Sequence, residues 1–346
     1  MRKHARRRPL YLLMVLAVMV GLLLPAGLAT PATAAPGGGD AVAAGDAVTL
    51  LVPEMVHSNG AELAWTRYTG LSGAPFDRYE VHRAATAAFT PSAATLLTVI
   101  RDKDTTTWRD SGAAAAKTFY YKVVANTSAS NEVSVTMPAA GTGRLTLQPD
   151  ARAGRATYVV QDRTTPAGCY NWFNYGAATN LRIGTAANGV VHRPLLAFDL
   201  RNIPVKATVS AATLTLWYPA TAAPTTLAGR EIKLHRVTRA WNEGTGVYPG
   251  ECNGSGANWS ETQGGVRWAA GGGDVDATAD ATVGLKARTA AGSDSFTVTS
   301  LVQEWVNGTA PNHGMLLKLN NEAIPTDNPY FDYYPDDAAT PPCGPG

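Results

Sequence analysis

Two short stretches concentrate the side chains that could do chemistry. CYNWFNYG, residues 169–176, sets Tyr170, Trp172, Phe173 and Tyr175 among Asn171 and Asn174. NPYFDYYPDD, residues 328–337, sets Tyr330, Phe331, Tyr333 and Tyr334 among acids. A pyranose offers an apolar C–H face and a belt of hydroxyls, so a site that holds one combines aromatic platforms with amides, carboxylates or guanidinium groups. Tyr170, Asn171, Trp172, Asn174, Tyr175 and, a little further on, Arg182 form such a set. Trp172 and Tyr175 are the expected stacking platform, and Asn171 and Asn174 the expected partners of hydroxyls. The competing reading is that Trp172 and its neighbours plug the open end of a sandwich.

Catalytic chemistry finds no comparable pattern, and no catalytic residue is assigned. His192, His235 and His313 are scattered, and no serine or cysteine sits in a nucleophile-elbow setting. GxSxG, HExxH, P-loop and GxGxxG motifs are all missing. A glycosidase needs two carboxylates facing each other across a cleft; Glu243, Glu251, Glu261 and Glu304 have nothing that marks them apart from solvated loop acids. Asp274, Asp276 and Asp280 are spaced like the start of a calcium loop, but its glycine and closing glutamate are missing. Asp332, Asp336 and Asp337 form a second oxygen-rich group. No metal site and no cofactor is assigned from these residues.

The elements that must position this set begin after an export segment. Arg2, Lys3, Arg6, Arg7 and Arg8 form a basic head, LYLLMVLAVMVGLLL an apolar run, and Ala32-Thr33-Ala34 the small residues a signal peptidase needs. The run is shorter than the ~20 residues of a spanning helix, so residues 1–35 read as a signal peptide and the chain as secreted, with an uncleaved anchor as the alternative. Cleavage removes five basic and no acidic residues, leaving 24 Lys+Arg against 27 Asp+Glu, a net charge near −3. That excludes the basic footprint of a nucleic-acid binder. Cys169, Cys252 and Cys343 allow one disulfide and one leftover thiol in an oxidising compartment, and their spacing is too wide for a zinc ribbon.

Residues 36–45 are a small-residue linker. Short alternating runs then fill 46–138, AAGTG at 139–143 is a joint, and 144–346 form the second domain. At its centre lies RPLLAFDLRNIPVKATVSAATLTLWY, residues 193–218. Leu195, Ala197 and Leu200 mark one strand. Ala212, Leu214 and Leu216 alternate with Thr213, Thr215 and Trp217 in the next. Pro204 and its polar neighbours make a crossing between them, the unit of a two-sheet sandwich. The loops 164–180 and 244–280 are long enough to be functional or mobile. Residues 298–308 are the one helical candidate, with Thr299 or Ser300 as cap and Leu301, Val302 and Trp305 on one face. The ending after GMLLKLN leaves the closing strand missing or an edge unpaired.

Two resemblances follow. Trp65, Tyr79-x-Val81-x-Arg83, Tyr121-x-Val123 and Ser130-Asn131-Glu132-Val133 are similar to a fibronectin type III domain, in which such residues fill the core and the domain acts as a spacer. PDARAGRATYV, NYG, LRIG, the central stretch, VTRAWNEG, GANW, GGDVD, FTVTSLVQEWVNG and NHGMLLK occur in the order that resembles the DNRLRE, or disaggregatase-related, domains, classed with carbohydrate-binding module family 96. The two resemblances imply an all-β chain: an immunoglobulin-like fibronectin type III sandwich followed by a jelly-roll-type sandwich. They imply a secreted, non-catalytic partner of a polysaccharide or cell-wall glycan. The family's alginate-type ligands would bring carboxylates to Arg182. A structural calcium is the one bound ion the resemblance leaves open, and no membrane contact is expected after cleavage. The alternative is a stalk or adhesion fragment of a larger cell-surface or toxin-delivery protein.

Overall fold

The computed structural model describes residues 15–20, 48–70, 73, 75–147, 154–164, 169–220, 224–247 and 256–334, with the side chains of 15–20, 169–170 and 224–225 outside that description. Apart from a strand at Val15–Val20, the leader and linker assigned from sequence lie outside the described residues, as do Cys252, Cys343 and the Cys169 side chain, so the disulfide falls there too. The described chain is β-structure with one α-helix, and it divides between Thr146 and Leu147 into two compact units.

The first unit is two antiparallel sheets. Met55–His57, Gly60–Ala64 and Thr107–Arg109 form one, with Gly143–Leu147 added beside Met55–His57. Leu96–Ile100, Tyr79–Ala84 and Thr118–Ala125 form the other, continued by Ser128–Ala129 and Val133–Thr136. Because side chains alternate across a strand, Tyr79 and Val81 point inward together, as do Tyr121 and Val123, and all four join Trp65 in one core. Trp65 meets Tyr79 edge-on at 5.5 Å, and Phe76 lies 4.6 Å from the same ring. The Tyr79 hydroxyl accepts from the Tyr68 N–H at 2.8 Å and donates to the Lys103 carbonyl at 3.0 Å. The pairing of Gly143–Leu147 carries this unit past the joint read from sequence.

In the second unit the sheet order is Ala281–Gly284, Glu231–Arg236, Met315–Leu319, Val190–Phe198, Leu181–Thr185, Tyr330–Tyr333, and Gly154–Asp162 pairs along the whole of Val190–Phe198. The chain then crosses, as Pro204 and its neighbours predict, to Val209–Tyr218, which pairs in another sheet with Gly292–Thr297. Ala212, Leu214 and Leu216 are buried there, while Thr213, Thr215 and Trp217 are half-buried. Tyr333 joins the sheets: its ring lies 6.4 Å from Tyr218, and its hydroxyl donates to Asp294.

The helix runs Thr299–Asn307 and buries Leu301, Val302, Trp305 and Val306; each such side chain contributes roughly 1.5–3 kcal/mol. Its expected side-chain cap is not made, because the Thr299 hydroxyl instead accepts from the Ala212 N–H at 3.0 Å and ties the helix to the neighbouring strand. Gly308, left-handed at φ 72°, closes the other end.

The stretch from Trp241 onward lies on the sheet rather than away from it. Trp241, Trp259 and Trp268 bury Val159, Val191, Leu195 and Ala197, while Arg155 and Arg193 stack at 4.7 and 4.6 Å on Trp241 and Trp259.

Candidate functional site

Alternation decides what that tryptophan cover leaves open. Val159 and Val191 face the cover, so Tyr158, Val160 and Asp162, with Val190 and His192, lie on the opposite face. The register sets Val160 against His192, and His192 against Gly184 on the next strand. Beyond it, Arg182 pairs with Asp332, and Gly184 with Tyr330. Across these strands runs a depression of about 720 Å³, lined by Tyr158, Val160, Asp162, Arg182, His192 and Tyr330 and rimmed by residues 175–180 and Val247. Gly184 is required for this arrangement. Its φ is +115°, and a Cβ there would sit 2.2 Å from the Pro329 carbonyl oxygen, where the chain enters Tyr330–Tyr333.

Aromatic rings dominate the floor. Tyr175 stacks on Tyr158 at 4.3 Å and 20°. His192 lies 6.1 Å from Tyr158 and 6.0 Å from Tyr330. Tyr330 is 37% exposed. Arg182 stacks 5.3 Å from that ring and holds both oxygens of Asp332, at 2.7 Å from Nε and 2.9 Å from Nη2. That hydrogen bonding raises the Arg182 pKa, and the guanidinium stays charged. Burial, with Arg182 beside it, pushes the His192 imidazole down to about 4, so it is neutral at neutral pH. Burial raises the Tyr158 hydroxyl.

Of the residues expected to bind a ligand, Tyr175 and Arg182 come together here, and the others go elsewhere. The Tyr170 side chain lies outside the described residues. Asn171 is buried, and its side-chain amide oxygen accepts from the Asp162 N–H at 2.9 Å, covering the edge of Gly154–Asp162. Trp172 does not line the depression; the Arg267 guanidinium sits 5.3 Å over its ring. Asn174, 2% exposed, is consumed by the loops. Its amide donates to the Glu243 carbonyl at 2.6 Å and the Ala257 carbonyl at 2.9 Å, and its oxygen accepts from Gly176 and Gly246. That packing explains Gly256, where a Cβ would lie 2.4 Å from the Asn174 amide nitrogen. An amide with all its valences used has no hydrogen bond to offer a sugar hydroxyl.

Tyr158, His192 and Tyr330 complete the depression. His192 is one of six histidines scattered through the sequence, and Tyr330 sits in a run that reads as a loop. In the structure that run is a strand, Tyr330–Tyr333. Period-two alternation buries Phe331 and Tyr333 and leaves Tyr330 outward, and the pattern YFDY carries that signal. Tyr158 lies within ATYVV, all five residues of which are buried, so no alternation marks it.

The remaining titratable candidates serve the fold. The Glu243 carboxylate accepts from the Ala156 N–H at 2.6 Å, Glu261 from Gly265 at 3.0 Å, and Glu304 lies 3.5 Å from Arg236. Glu251 is outside the described residues. Asp274 accepts from the N–H groups of Ala269 and Ala270, Asp276 pairs with Arg236 at 2.7 Å, and Asp280 accepts from the Arg236 N–H. Among the described residues no three His, Cys, Asp or Glu side chains are grouped to hold a metal. No helix there is long and apolar enough to cross a membrane.

A search of curated proteins finds no match to this chain. The family model described as the disaggregatase related repeat domain matches residues 170–342, half of the 346-residue chain. The match spans Tyr175, Arg182, His192 and Tyr330, and both sheets of the second unit except Gly154–Asp162. The chain therefore belongs to the disaggregatase-related repeat family.

Proposed function

We propose that this is a secreted, non-catalytic carbohydrate-binding protein. Its second unit, a jelly-roll-type sandwich of the kind grouped in carbohydrate-binding module family 96, holds a polysaccharide or cell-wall glycan in the depression over Tyr158, His192 and Tyr330. The first unit is a fibronectin type III-like spacer, a reading supported by its two antiparallel sheets around Trp65 and Tyr79. Export rests on the basic head, apolar run and Ala32-Thr33-Ala34 of the leader.

One observation carries the binding reading: an open sheet face in which an exposed tyrosine ring adjoins a fixed guanidinium–carboxylate pair. Sugar C–H groups stack on the ring, and hydroxyls exchange hydrogen bonds with the polar groups around it. The test is calorimetric titration of the full chain with a panel of soluble oligosaccharides, repeated with Tyr330→Ala. Loss of a stacking ring at a contact typically exceeds 1 kcal/mol, so affinity should fall about tenfold or more with the melting temperature kept. A folded chain that binds no glycan in the panel would favour the stalk reading instead.

A further inference from the structure

The strand that carries Tyr330 is short and stands at the end of its sheet. Tyr330–Tyr333 has four residues, and its ladder among the described residues runs along Leu181–Thr185. Strands this short at a sheet edge open easily unless side chains hold them. Alternation turns Tyr330 and Asp332 to the face of the depression and Phe331 and Tyr333 to the interior. Behind the inward pair sits Arg288, 2% exposed. Its guanidinium lies 3.4 Å from the centre of the Tyr218 ring, 4.0 Å from that of Phe331 and 5.4 Å from that of Tyr333. Its Nη2 donates to Asp294, and the same carboxylate accepts from the Tyr333 hydroxyl. Nε and Nη1 of Arg288 are buried without a hydrogen-bond partner among the described residues.

Those two unbonded nitrogens say what Arg288 is for. A buried cation with donors left over is costly. Apolar side chains of similar volume, put in place of a buried ion pair, often leave a protein as stable or more so. Stability therefore does not account for an arginine at this position. Direction does: a guanidinium is planar, stacks on rings and donates along fixed lines, none of which an aliphatic side chain can do. Arg288 ties Phe331 and Tyr333 on one strand to Tyr218 and Asp294 on two others. Fixing the inward side chains of a strand fixes the pitch of its outward ones.

We propose that Arg288 is a positioning residue for the glycan site, holding Tyr330–Tyr333 from the core so that Tyr330 and Asp332 stand correctly on the other face. The inference rests on the binding reading above and adds to it a residue that touches no ligand.

The test replaces the pair and not one partner, because Arg288→Met alone would strand the buried Asp294 carboxylate. Amide hydrogen exchange and titration with the oligosaccharide panel are compared between the wild-type full chain and one carrying Arg288→Met with Asp294→Asn. The double variant should melt at or above the wild-type temperature. Its Tyr330–Tyr333 amides should exchange about tenfold faster, and its affinity for the glycan that wild type binds should fall about tenfold. A merely structural role would move melting temperature and affinity together, so a double variant that unfolds, or melts lower with exchange raised throughout, would overturn the proposal. Unchanged exchange at Tyr330–Tyr333 would overturn it too, as would faster exchange with affinity kept; in both cases binding by the wild type leaves the glycan reading standing. A folded wild type that binds no glycan sinks that reading, and the positioning role with it.

Discussion

In the first unit Trp65, Phe76 and Tyr79 meet at ring distances of 5.5 and 4.6 Å; in the second, Tyr158, Tyr175, His192 and Tyr330 meet at 4.3, 6.1 and 6.0 Å. Each cluster combines strand residues with one ring from a connecting segment, Phe76 in the first and Tyr175 in the second. Their fates differ because of what lies opposite. The first unit's second sheet closes over its rings, and Tyr79 is fully buried with both hydroxyl hydrogen bonds made inside the chain. The second unit's cluster lies on the face away from the tryptophan cover; Tyr158, Tyr175 and His192 are buried there too, and Tyr330 alone of the four is exposed, beside the depression. An aromatic residue read from sequence is therefore buried or exposed according to its cover.

The sharpest way to break this comparison is in the first unit. Trp65, 3% exposed, should cost roughly 3–5 kcal/mol when replaced by alanine, seen as a loss of stability in denaturant unfolding. A Trp65→Ala variant that melts within a degree or two of the parent would remove Trp65 from the core and the contrast with it.

The second unit should show a pH signature of its buried histidine. In the unfolded chain an imidazole titrates near ~6.5, whereas His192 in the fold is held down to about 4. As pH falls the unfolded chain takes up the proton first. The contribution of neutral His192 is thus complete above about 6.5 and drains away as pH falls towards about 4. The gap corresponds to about 3 kcal/mol. Comparing the stability of wild type and His192→Gln across that window isolates this slope from the carboxylates that titrate nearby. Parallel curves would show that His192 is not buried as a neutral ring.

The smallest effect is expected at Trp172, half-buried under Arg267. The cation–π contact contributes about 0.5–1 kcal/mol and the half-buried ring adds about as much again, so Trp172→Ala should lower stability by about 1–2 kcal/mol and leave glycan affinity unchanged. Loss of affinity with stability kept would return Trp172 to the site and sharpen the comparison in the other direction.

How much of this was legible can be judged residue by residue. The strands around Ala212, Leu214 and Leu216, the crossing at Pro204, the burial of Trp65, Tyr79 and Tyr121, and the helix at Thr299–Asn307 all follow from local periodicity and turn chemistry. The family follows from the order of short motifs across the second unit. Within the candidate site the sequence pointed to Tyr175 and Arg182, and with them to Asn171, Trp172 and Asn174, whose side chains in the structure bond the chain itself or sit beneath Arg267.

Composition and alternation were enough to determine an all-β chain with its core positions, because each strand's inward face is written in its own residues. Only the tertiary structure decided which aromatic group stayed open. That outcome depends on the register that brings His192 opposite Gly184 and Arg182 opposite Asp332, partners at sequence separations of 8 and 150 residues. It depends equally on the tryptophan segment covering one face of Gly154–Asp162 and not the other. Pairing across such distances is fixed by the packing of whole sheets, and no local pattern around Trp172 or Tyr330 records it.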